Sequence, residues 1–556
     1  LLKTTPMKPS IFICPAILLL LLFNGCKEKE NLNLESSNTP FVWENANMYF
    51  LLTDRFNNGD KTNDINFNRT KETAVLRGFK GGDFAGVTQK INEGYFTKLG
   101  INALWFSPVV EQIHGATNEG TGNTYGFHGY WTKDWTAIEP NFGTEAALRT
   151  LVETAHANGI RIVMDVVLNH TGPVTEKDEV WPEDWVRTSP ACTYDSYENT
   201  TACTLVKNLP DILTESNKEV SLPNFLLEKW KNEGRLKEEL ASLDDYFSRT
   251  GYPRTPQAYI VKWLTDYVKD FGIDGFRVDT VKHASETAWD MLYTEASFAF
   301  DTWKKNNPEK VLDQNSFYMM GEVYNYGISG GRSYDFGNKK VDYYAHGFHS
   351  LINFELKYDA DKSYAEIFKK YDSLLNGPFR EKSVLNYLTS HDDGQPYDKL
   401  REKGFRAANV LLLTPGGSQI YYGDETNRNL IVQGAEGDAT LRSFMNWEEI
   451  DTQKELLRHW QMLGQFKGNH IAVGAGKHKD ISTTPYVFSR EYLRNKLEDK
   501  VIIGLDLPEG KKDISVGSIF KNGQALKDTY SGNTTEVING KVSLDTPYTL
   551  VLLEAN

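Results

Sequence analysis

At 556 residues, the chain exceeds one small domain and fits a barrel of about 250 residues or more with one or two additions. Its net charge of −14 argues against nucleic acid as a partner, because phosphates call for a basic footprint, and otherwise says only that a large protein stays soluble. Aromatics make up 12% of the residues, including 12 Trp and 28 Tyr, which suits a neutral, ring-shaped ligand.

Near the N-terminus, Met7 and Lys8 precede an apolar stretch, Ile11 to Phe23, too short to span a bilayer comfortably as a mature helix. It reads as a signal peptide over residues 1–26. Its end, Phe23-Asn24-Gly25-Cys26, resembles a bacterial lipobox, which implies that Cys26 is lipidated and becomes the first mature residue. The polar stretch 27–40 then forms a flexible tether. The expected location is the bacterial cell envelope, at the outer membrane, with the lipid anchor as the sole membrane contact. Of the remaining cysteines, Cys14 falls in the leader, and Cys192 and Cys203 form a pair that an exported protein can oxidise to a disulfide; the other reading, two free thiols, fits poorly outside the cytoplasm.

From Asn47 the chain alternates strand-like and helix-like segments: MYFLLTDRF (48–56), a helix near 84–99, INALWFSPV (101–109), a helix near 144–158 and IRIVMDVVLNH (160–170). This is the βαβα signature of a parallel sheet. It breaks after His170 in a stretch rich in Pro, Asp, Asn and Thr, read as an irregular inserted domain over 171–254, and resumes at an amphipathic helix near 256–270. Further strands follow in IDGFRVDT, FYMMGEVY, SLINFEL, VLNYLTSHD and SQIYYGDE, making eight, the number that closes a (β/α)8 barrel. The barrel is therefore expected from 41–170 and 255–468. Past a helix near 453–466 come short alternating runs such as KVIIGLDL and YTLVLLEA, a small antiparallel β-sandwich over 469–556.

Three of these strand-like segments end in acids: Asp279 in GFRVDTVKH (275–283), Glu322 in MGEVY (320–324) and Asp392 in TSHDD (389–393). Barrel enzymes build their sites at the C-terminal ends of strands, so each acid is a candidate catalyst. Arg277, two residues before Asp279, lies on the same strand face and would keep that carboxylate ionised, as a nucleophile requires. Any one acid alone reads equally well as a structural ion pair; the three together do not.

These segments, with DVVLNH (165–170), LPD (209–211) and FHGYW (127–131) in the same order, resemble glycoside hydrolase family 13, the α-amylase family, over nearly the whole mature length. The resemblance implies that Asp279 is the nucleophile, Glu322 the general acid and base, and Asp392 a third acid holding the distorted sugar. It implies a retaining mechanism with carboxyl groups ~5 Å apart, Glu322 protonated and Asp279 ionised near neutral pH. Tyr130 would stack under the sugar, with His128, His170, Arg277 and His391 around it, and Lys282, His283 and Tyr324 on the leaving-group side. Ser390 stands where many members carry Asn.

The resemblance also implies Ca²⁺, bound by Asn169, Asp211 and the carbonyl of His283 between the barrel and the inserted domain; oxygen ligands suit this hard ion. A second cluster resembles a calcium loop of cyclodextrin glycosyltransferases and some amylases: Asn58, Asp60, Asn63 and Asp64 in NNGDKTND (57–64), with Gly81 and Asp83 in GGD. Composition alone would make this a plain turn. The expected activity is endo-hydrolysis of α-1,4 bonds in starch-like glucans by a monomer. A cyclomaltodextrinase, a maltooligosaccharide hydrolase or a 4-α-glucanotransferase is the alternative within the same chemistry. Cyclodextrin glycosyltransferases usually continue into further domains past the small β domain, which weights the expectation toward hydrolysis. A noncatalytic glucan-binding lipoprotein is disfavoured, because such a protein would normally have lost one of the acids.

Overall fold

Eight short strands, all parallel, close on themselves in the computed structural model, which describes residues 40–118, 120–494 and 496–556. They are β1 (Asn47–Leu51), β2 (Ala103–Phe106), β3 (Arg161–Val166), β4 (Gly275–Val278), β5 (Tyr318–Gly321), β6 (Ser350–Asn353), β7 (Ser383–Asn386) and β8 (Gly417–Tyr421). Their order around the barrel is sequential, with β8 closing on β1. Each overlaps one of the strand-like segments read from the sequence, with β1, β7 and β8 beginning one residue before it. The expected leader, the tether and Cys26 lie outside the described residues.

All residues of these strands are buried, because helices cover the outside of the barrel while side chains fill its interior. Local chemistry places the helices. Thr255 caps the N-terminus of the helix Pro256–Phe271, accepting from the Ala258 amide, with Pro at the first helical position. Gly272 ends that helix at φ 78°, where a Cβ would lie 2.2 Å from the Trp303 ring, so both the backbone and the packing demand glycine. Ser363 and Glu366 form a capping box for the helix Tyr364–Leu375.

Residues 171–254 leave the barrel after β3 and are less irregular than the composition suggests, since they contain the helices Asn224–Asn232 and Leu236–Thr250. Their apolar stripes are narrow: Leu226 and Trp230 on one, Leu243, Tyr246 and Phe247 on the other. The many charges around them hide the helical period. Trp181, Trp185 and Trp230 belong to the same buried core as Trp135 and Trp263, and Trp185 stacks on Trp263 at 6.1 Å, fastening the excursion to the barrel.

The C-terminal unit is a six-stranded antiparallel sheet made of β9 (Lys477–Thr483), β10 (Tyr486–Arg494), β11 (Leu497–Leu505), β13 (Ala525–Asp528), β14 (Thr534–Glu536) and β16 (Val551–Ala555). A two-stranded layer, β12 (Gly510–Ser515) and β15 (Lys541–Thr546), faces it. Ile502, Val551 and Leu553 share a core with Ile514, Val542 and Leu544 between the two layers. Val501, Ile503 and Leu552 point the other way, into the barrel's core, as the period of two dictates.

His470, at the end of the helix Lys454–Asn469, ties the sheet to the barrel by bonds to Asp499 (2.9 Å) and Glu554 (2.7 Å). Burial alone would lower its pKa, but these bonds outweigh it and push the imidazole up to about 9. Because the folded value exceeds the unfolded one, the stabilisation is complete below about pH 6.5 and is lost as pH rises through about 9. His470→Gln is therefore expected to cost roughly 2–3 kcal/mol near pH 6 and much less near pH 10, read as the gap between the two melting curves. A gap that does not vary with pH contradicts this linkage.

Candidate active site

The barrel register assembles the site. Arg277 on β4 lies level with Asp165 on β3, and Val278 pairs with Gly321 on β5, so the next residues, Asp279 and Glu322, emerge side by side at the C-terminal rim. The amide of Asp279 donates to Val166 O (3.0 Å) and that of Glu322 to Val278 O (2.9 Å), fixing both strand ends. Asp392 comes from the loop after β7, where Ser390 Oγ donates to its Oδ1 at 2.8 Å.

Arg277, 1% exposed, joins the acids. Its Nη1 donates to Asp279 Oδ1 (2.7 Å) and Asp165 Oδ1 (2.9 Å), and its Nη2 stands 3.0 Å from Glu322 Oε2. Glu322 Oε2 also accepts from the Thr280 amide at 3.0 Å. Thr280 holds a left-handed φ of 50°, a conformation that non-glycine residues rarely adopt and that occurs here beside the reacting acids. Three carboxylates thus share one guanidinium.

Burial is the largest influence on both reactive acids. It pushes Asp279 up to about 6 against the pull of Arg277. It pushes Glu322 further, to about 8, because Asp279 and Asp392 add to desolvation what Arg277 takes away. Near pH 7 one acid is therefore mostly ionised and the other mostly protonated. For Asp392, burial raises the pKa but His391, Arg277 and the Ser390 hydroxyl outweigh it, holding the carboxyl below the usual range.

Tyr130 donates its hydroxyl to Asp165 Oδ2 at 2.6 Å, and Trp105 Nε1 donates to the same oxygen at 3.0 Å. The Tyr130 ring lies parallel to His391, 5.1 Å away at 11°. His170 Nε2 faces the Tyr130 carbonyl at 3.1 Å; a carbonyl only accepts, so this nitrogen carries the proton and Nδ1 keeps its lone pair. His170 Nδ1 and His391 Nδ1 are buried with no partner in the protein, and both rings line the cleft. Burial lowers the pKa of His170 to about 4 and of His391 to about 3, so both are neutral in this range. His128, driven well below its ordinary pKa by burial, accepts from the Tyr130 amide at 3.1 Å.

The cleft has a volume of about 680 Å³ and brings together His128, Tyr130, His170, Asp279, Lys282, His283, Glu322, Tyr324, His391 and Asp392, with Arg277 buried beneath them. Its lining also includes residues that no motif revealed: Tyr194, Leu205 and Val206 from the excursion, Tyr334, Asp438 and Arg442, together with Leu209 of LPD. Arg442 Nε donates to the His391 carbonyl (2.9 Å) and pairs with Asp438 (2.6 Å), bracing the histidine. Asp165 stood within DVVLNH without an assigned part, although an acid at a barrel strand end was a usable signal.

Oxygens able to hold a cation lie at two places. Asn169 Oδ1 and both Asp211 carboxylate oxygens are buried without a hydrogen-bond partner. Arg187 Nε approaches Asp211 Oδ2 at 2.8 Å without hydrogen-bond alignment, and burial still pushes that acid up to about 8. An acid and an amide whose oxygens lack aligned hydrogen-bond donors suit a hard cation. His283 commits its ring to the Thr200 carbonyl at 3.0 Å, which leaves its own carbonyl as the remaining candidate donor. In the N-terminal loop, Asn58 Oδ1 and Asn63 Oδ1 are likewise unpartnered, while Asn58 Nδ2 donates to Asp64 Oδ1 at 2.8 Å. Gly81, at φ 90°, leaves no room for a Cβ, which would fall 2.3 Å from the Asn58 amide and 2.5 Å from Asp64. Asp60 accepts from Thr62, and Asp83 takes the amides of Gly59, Asp60 and Gly86, so Asp83 frames the loop. No group of three or more His, Cys, Asp or Glu side chains among the described residues is arranged to hold a metal, so a cation at either place would depend on amide and carbonyl oxygens as well.

Comparison with known proteins identifies the family. Residues 50–469 match the family model "Alpha amylase, catalytic domain". A protein named periplasmic alpha-amylase from Escherichia coli (strain K12) is 37% identical over 544 aligned residues, covering 86% of this chain and 74% of that protein. A cyclomaltodextrin glucanotransferase from Niallia circulans is 27% identical, covering 87% of this chain and 64% of its own length. Among solved structures, the alpha-amylase of Geobacillus thermoleovorans complexed with acarbose shares the fold at TM-score 0.64 and 19% identity, covering 93% of this chain and all (100%) of that one. With its closed eight-stranded barrel, its acids at adjacent strand ends and this family match, the chain belongs to the α-amylase family of glycoside hydrolases, glycoside hydrolase family 13.

Proposed function

We propose that the protein is a retaining, endo-acting α-amylase that hydrolyses internal α-1,4-glucosidic bonds in starch-like glucans and maltooligosaccharides. The observation that carries this reading is the pair Asp279 and Glu322, emerging side by side from the neighbouring strands β4 and β5 and sharing Arg277, with burial and the nearby Asp279 and Asp392 pushing Glu322 toward its protonated form. Arg277 contacts both carboxyls, Asp279 at 2.7 Å and Glu322 at 3.0 Å, so nucleophile and acid stand side by side, which favours retention.

Glu322 Oε2 is taken by Thr280 and Arg277, so Oε1 is the oxygen that carries the proton toward the glycosidic oxygen. Asp279 attacks the anomeric carbon as that proton moves and the leaving chain departs, forming a glycosyl ester. Glu322, now a carboxylate, takes a proton from water; the hydroxyl oxygen bonds to the anomeric carbon, the ester C–O bond breaks, and both acids return to their starting states. Tyr130 supplies the platform under the reacting sugar. The lone pair on His170 Nδ1 and the ionised Asp392 accept its hydroxyl protons, and the His391 ring offers a further polar contact.

Asn169, Asp211 and the His283 carbonyl fit a Ca²⁺ that would pin the excursion to the barrel beside the cleft; Asn58, Asp60, Asn63, Asp64, the Gly81 carbonyl and Asp83 would hold a second. Prolonged chelation is expected to lower the melting temperature by several degrees. An unchanged melting curve, with no metal by elemental analysis, excludes bound calcium. The relative named periplasmic alpha-amylase supports export, and the sequence Phe23-Asn24-Gly25-Cys26 supports lipid attachment.

Product analysis on soluble starch tests the function: mixed short maltooligosaccharides appearing early establish endo-hydrolysis. Release of a single short product, or of cyclic or transfer products, moves the protein to the alternative that its likeness to cyclomaltodextrin glucanotransferases keeps open.

A further inference from the structure

Within the excursion, Cys192 and Cys203 are joined by a disulfide, with Cα atoms 4.9 Å apart, and close a loop that hangs over the cleft. Tyr194, in that loop, is 50% exposed and lines the cleft. It holds a left-handed φ of 62°, its amide and that of Thr193 both donate to Asn199 O, and its hydroxyl donates to Leu205 O at 3.2 Å, so the loop sets the ring's position. The ring meets His283 edge-on at 5.8 Å and lies 5.6 Å from Lys282 Nζ.

Tyr334 approaches the same ammonium from a second element, its ring centroid also 5.6 Å from Lys282 Nζ. It begins a small hairpin in which Tyr334–Asp335 pairs with Lys340–Val341. The two elements are fastened to each other: the Tyr197 amide donates to Asn338 Oδ1 (2.8 Å), Asn338 Nδ2 donates to Glu198 (2.8 Å), and the Tyr197 ring packs edge-on against Phe336 at 5.2 Å. The Thr200 carbonyl holds His283 from the same loop. This wall gathers at Lys282, whose ammonium donates to the carbonyl of Tyr324, two residues after Glu322, at 3.4 Å, whereas the Tyr130 platform packs against His391 and bonds to Asp165. A general acid faces the leaving oxygen, so its side of the cleft receives the departing sugars.

We propose that the disulfide-closed loop and the Tyr334 hairpin form one wall of the leaving-group half of the cleft, with Tyr194 and Tyr334 as faces against which the departing glucose units stack. The proposal deepens the glycosidase reading and rests on its assignment of Glu322 as the acid. The substrate class it selects is linear α-1,4-glucan long enough to place sugars beyond the cleaved bond. The disulfide, by closing the loop, fixes where Tyr194 stands.

The test uses the full chain. In a Glu322→Gln background, calorimetric titration with maltoheptaose is expected to show that Tyr194→Ala weakens binding about threefold to tenfold, and that Tyr194→Phe, which keeps the ring, stays within about twofold. In the active protein, Tyr194→Ala is expected to lower kcat/KM on maltoheptaose through KM and to change the first products. The loss on α-maltosyl fluoride, whose leaving group occupies no sugar site, should be at least about threefold smaller. Cys192→Ser with Cys203→Ser, or reduction of the folded parent by dithiothreitol, should move the product pattern in the direction that Tyr194→Ala does. Unchanged maltoheptaose binding in Tyr194→Ala, or equal losses on both substrates, overturns the wall; an unaltered product pattern after reduction overturns the part given to the disulfide. A parent inactive on both substrates, with Tyr194-dependent binding intact, overturns the glycosidase reading and leaves the wall standing.

Discussion

Replacing Asp279 with Asn is expected to lower kcat on soluble starch by about a thousandfold or more, because the amide oxygen cannot form the glycosyl ester. The melting temperature should stay level or rise. Asp279 shares one guanidinium with Asp165 and Glu322, and burial already holds its pKa at about 6, so its charge is costly to the fold and useful only to the reaction. Glu322→Gln should lose a comparable factor on starch, yet much less on α-maltosyl fluoride in the glycosylation step, since fluoride leaves without a proton. Added azide, a nucleophile that needs no general base, should then speed turnover of the Glu322→Gln variant and yield an α-glycosyl azide. The two variants separate the roles. A Glu322→Gln variant that loses starch and fluoride activity equally, with no response to azide, contradicts Glu322 as the acid and base. Asp279→Asn retaining more than about a tenth of the parental rate contradicts covalent catalysis by Asp279.

The acids were legible in the sequence because barrel geometry turns a local feature, a carboxylate ending an apolar run, into a spatial one. Asp279 and Glu322 needed only their strands to be neighbours in register, and the pairing of Val278 with Gly321 places them there. The leaving-group wall was not legible. Tyr194 and Tyr334 come from elements distant in sequence, and nothing local marks either residue as facing Lys282; their positions follow from bonds such as Tyr197 to Asn338. Arg442 is similar, since its contact with His391 spans 51 positions of chain and carries no motif. The helices Asn224–Asn232 and Leu236–Thr250 were missed for a different reason: narrow apolar stripes among many charges resemble a solvated loop until Trp230 and Phe247 find the barrel.

Arg277 carries the second large effect. Among the described residues its guanidinium is the one cation in direct contact with Asp165, Asp279 and Glu322, and it lowers the pKa of each against desolvation that raises all three. Arg277→Met is therefore expected to cut kcat/KM at pH 7 by about a thousandfold, since Asp279 would then be mostly protonated and no longer nucleophilic. The remaining activity should follow a profile displaced upward in pH: the acid limb, set by Asp279, and the basic limb, set by Glu322, both rise when the cation is removed. Stability gives an independent readout. Carboxyls whose folded pKa lies above the unfolded value hold extra protons when folded, so their contribution is favourable in acid and is lost as pH rises through the folded pKa. The variant should thus fall short of the parent by about 3–5 kcal/mol near neutral pH, the cost of an uncompensated buried charge, and by less near pH 5, where the acids are neutral. Arg277→Lys should lie between the two, because an ammonium is a point charge that cannot reach three carboxylates in one plane. An Arg277→Met variant that loses activity with unmoved pH limbs would mean that the guanidinium positions substrate and does not set the charge on Asp279.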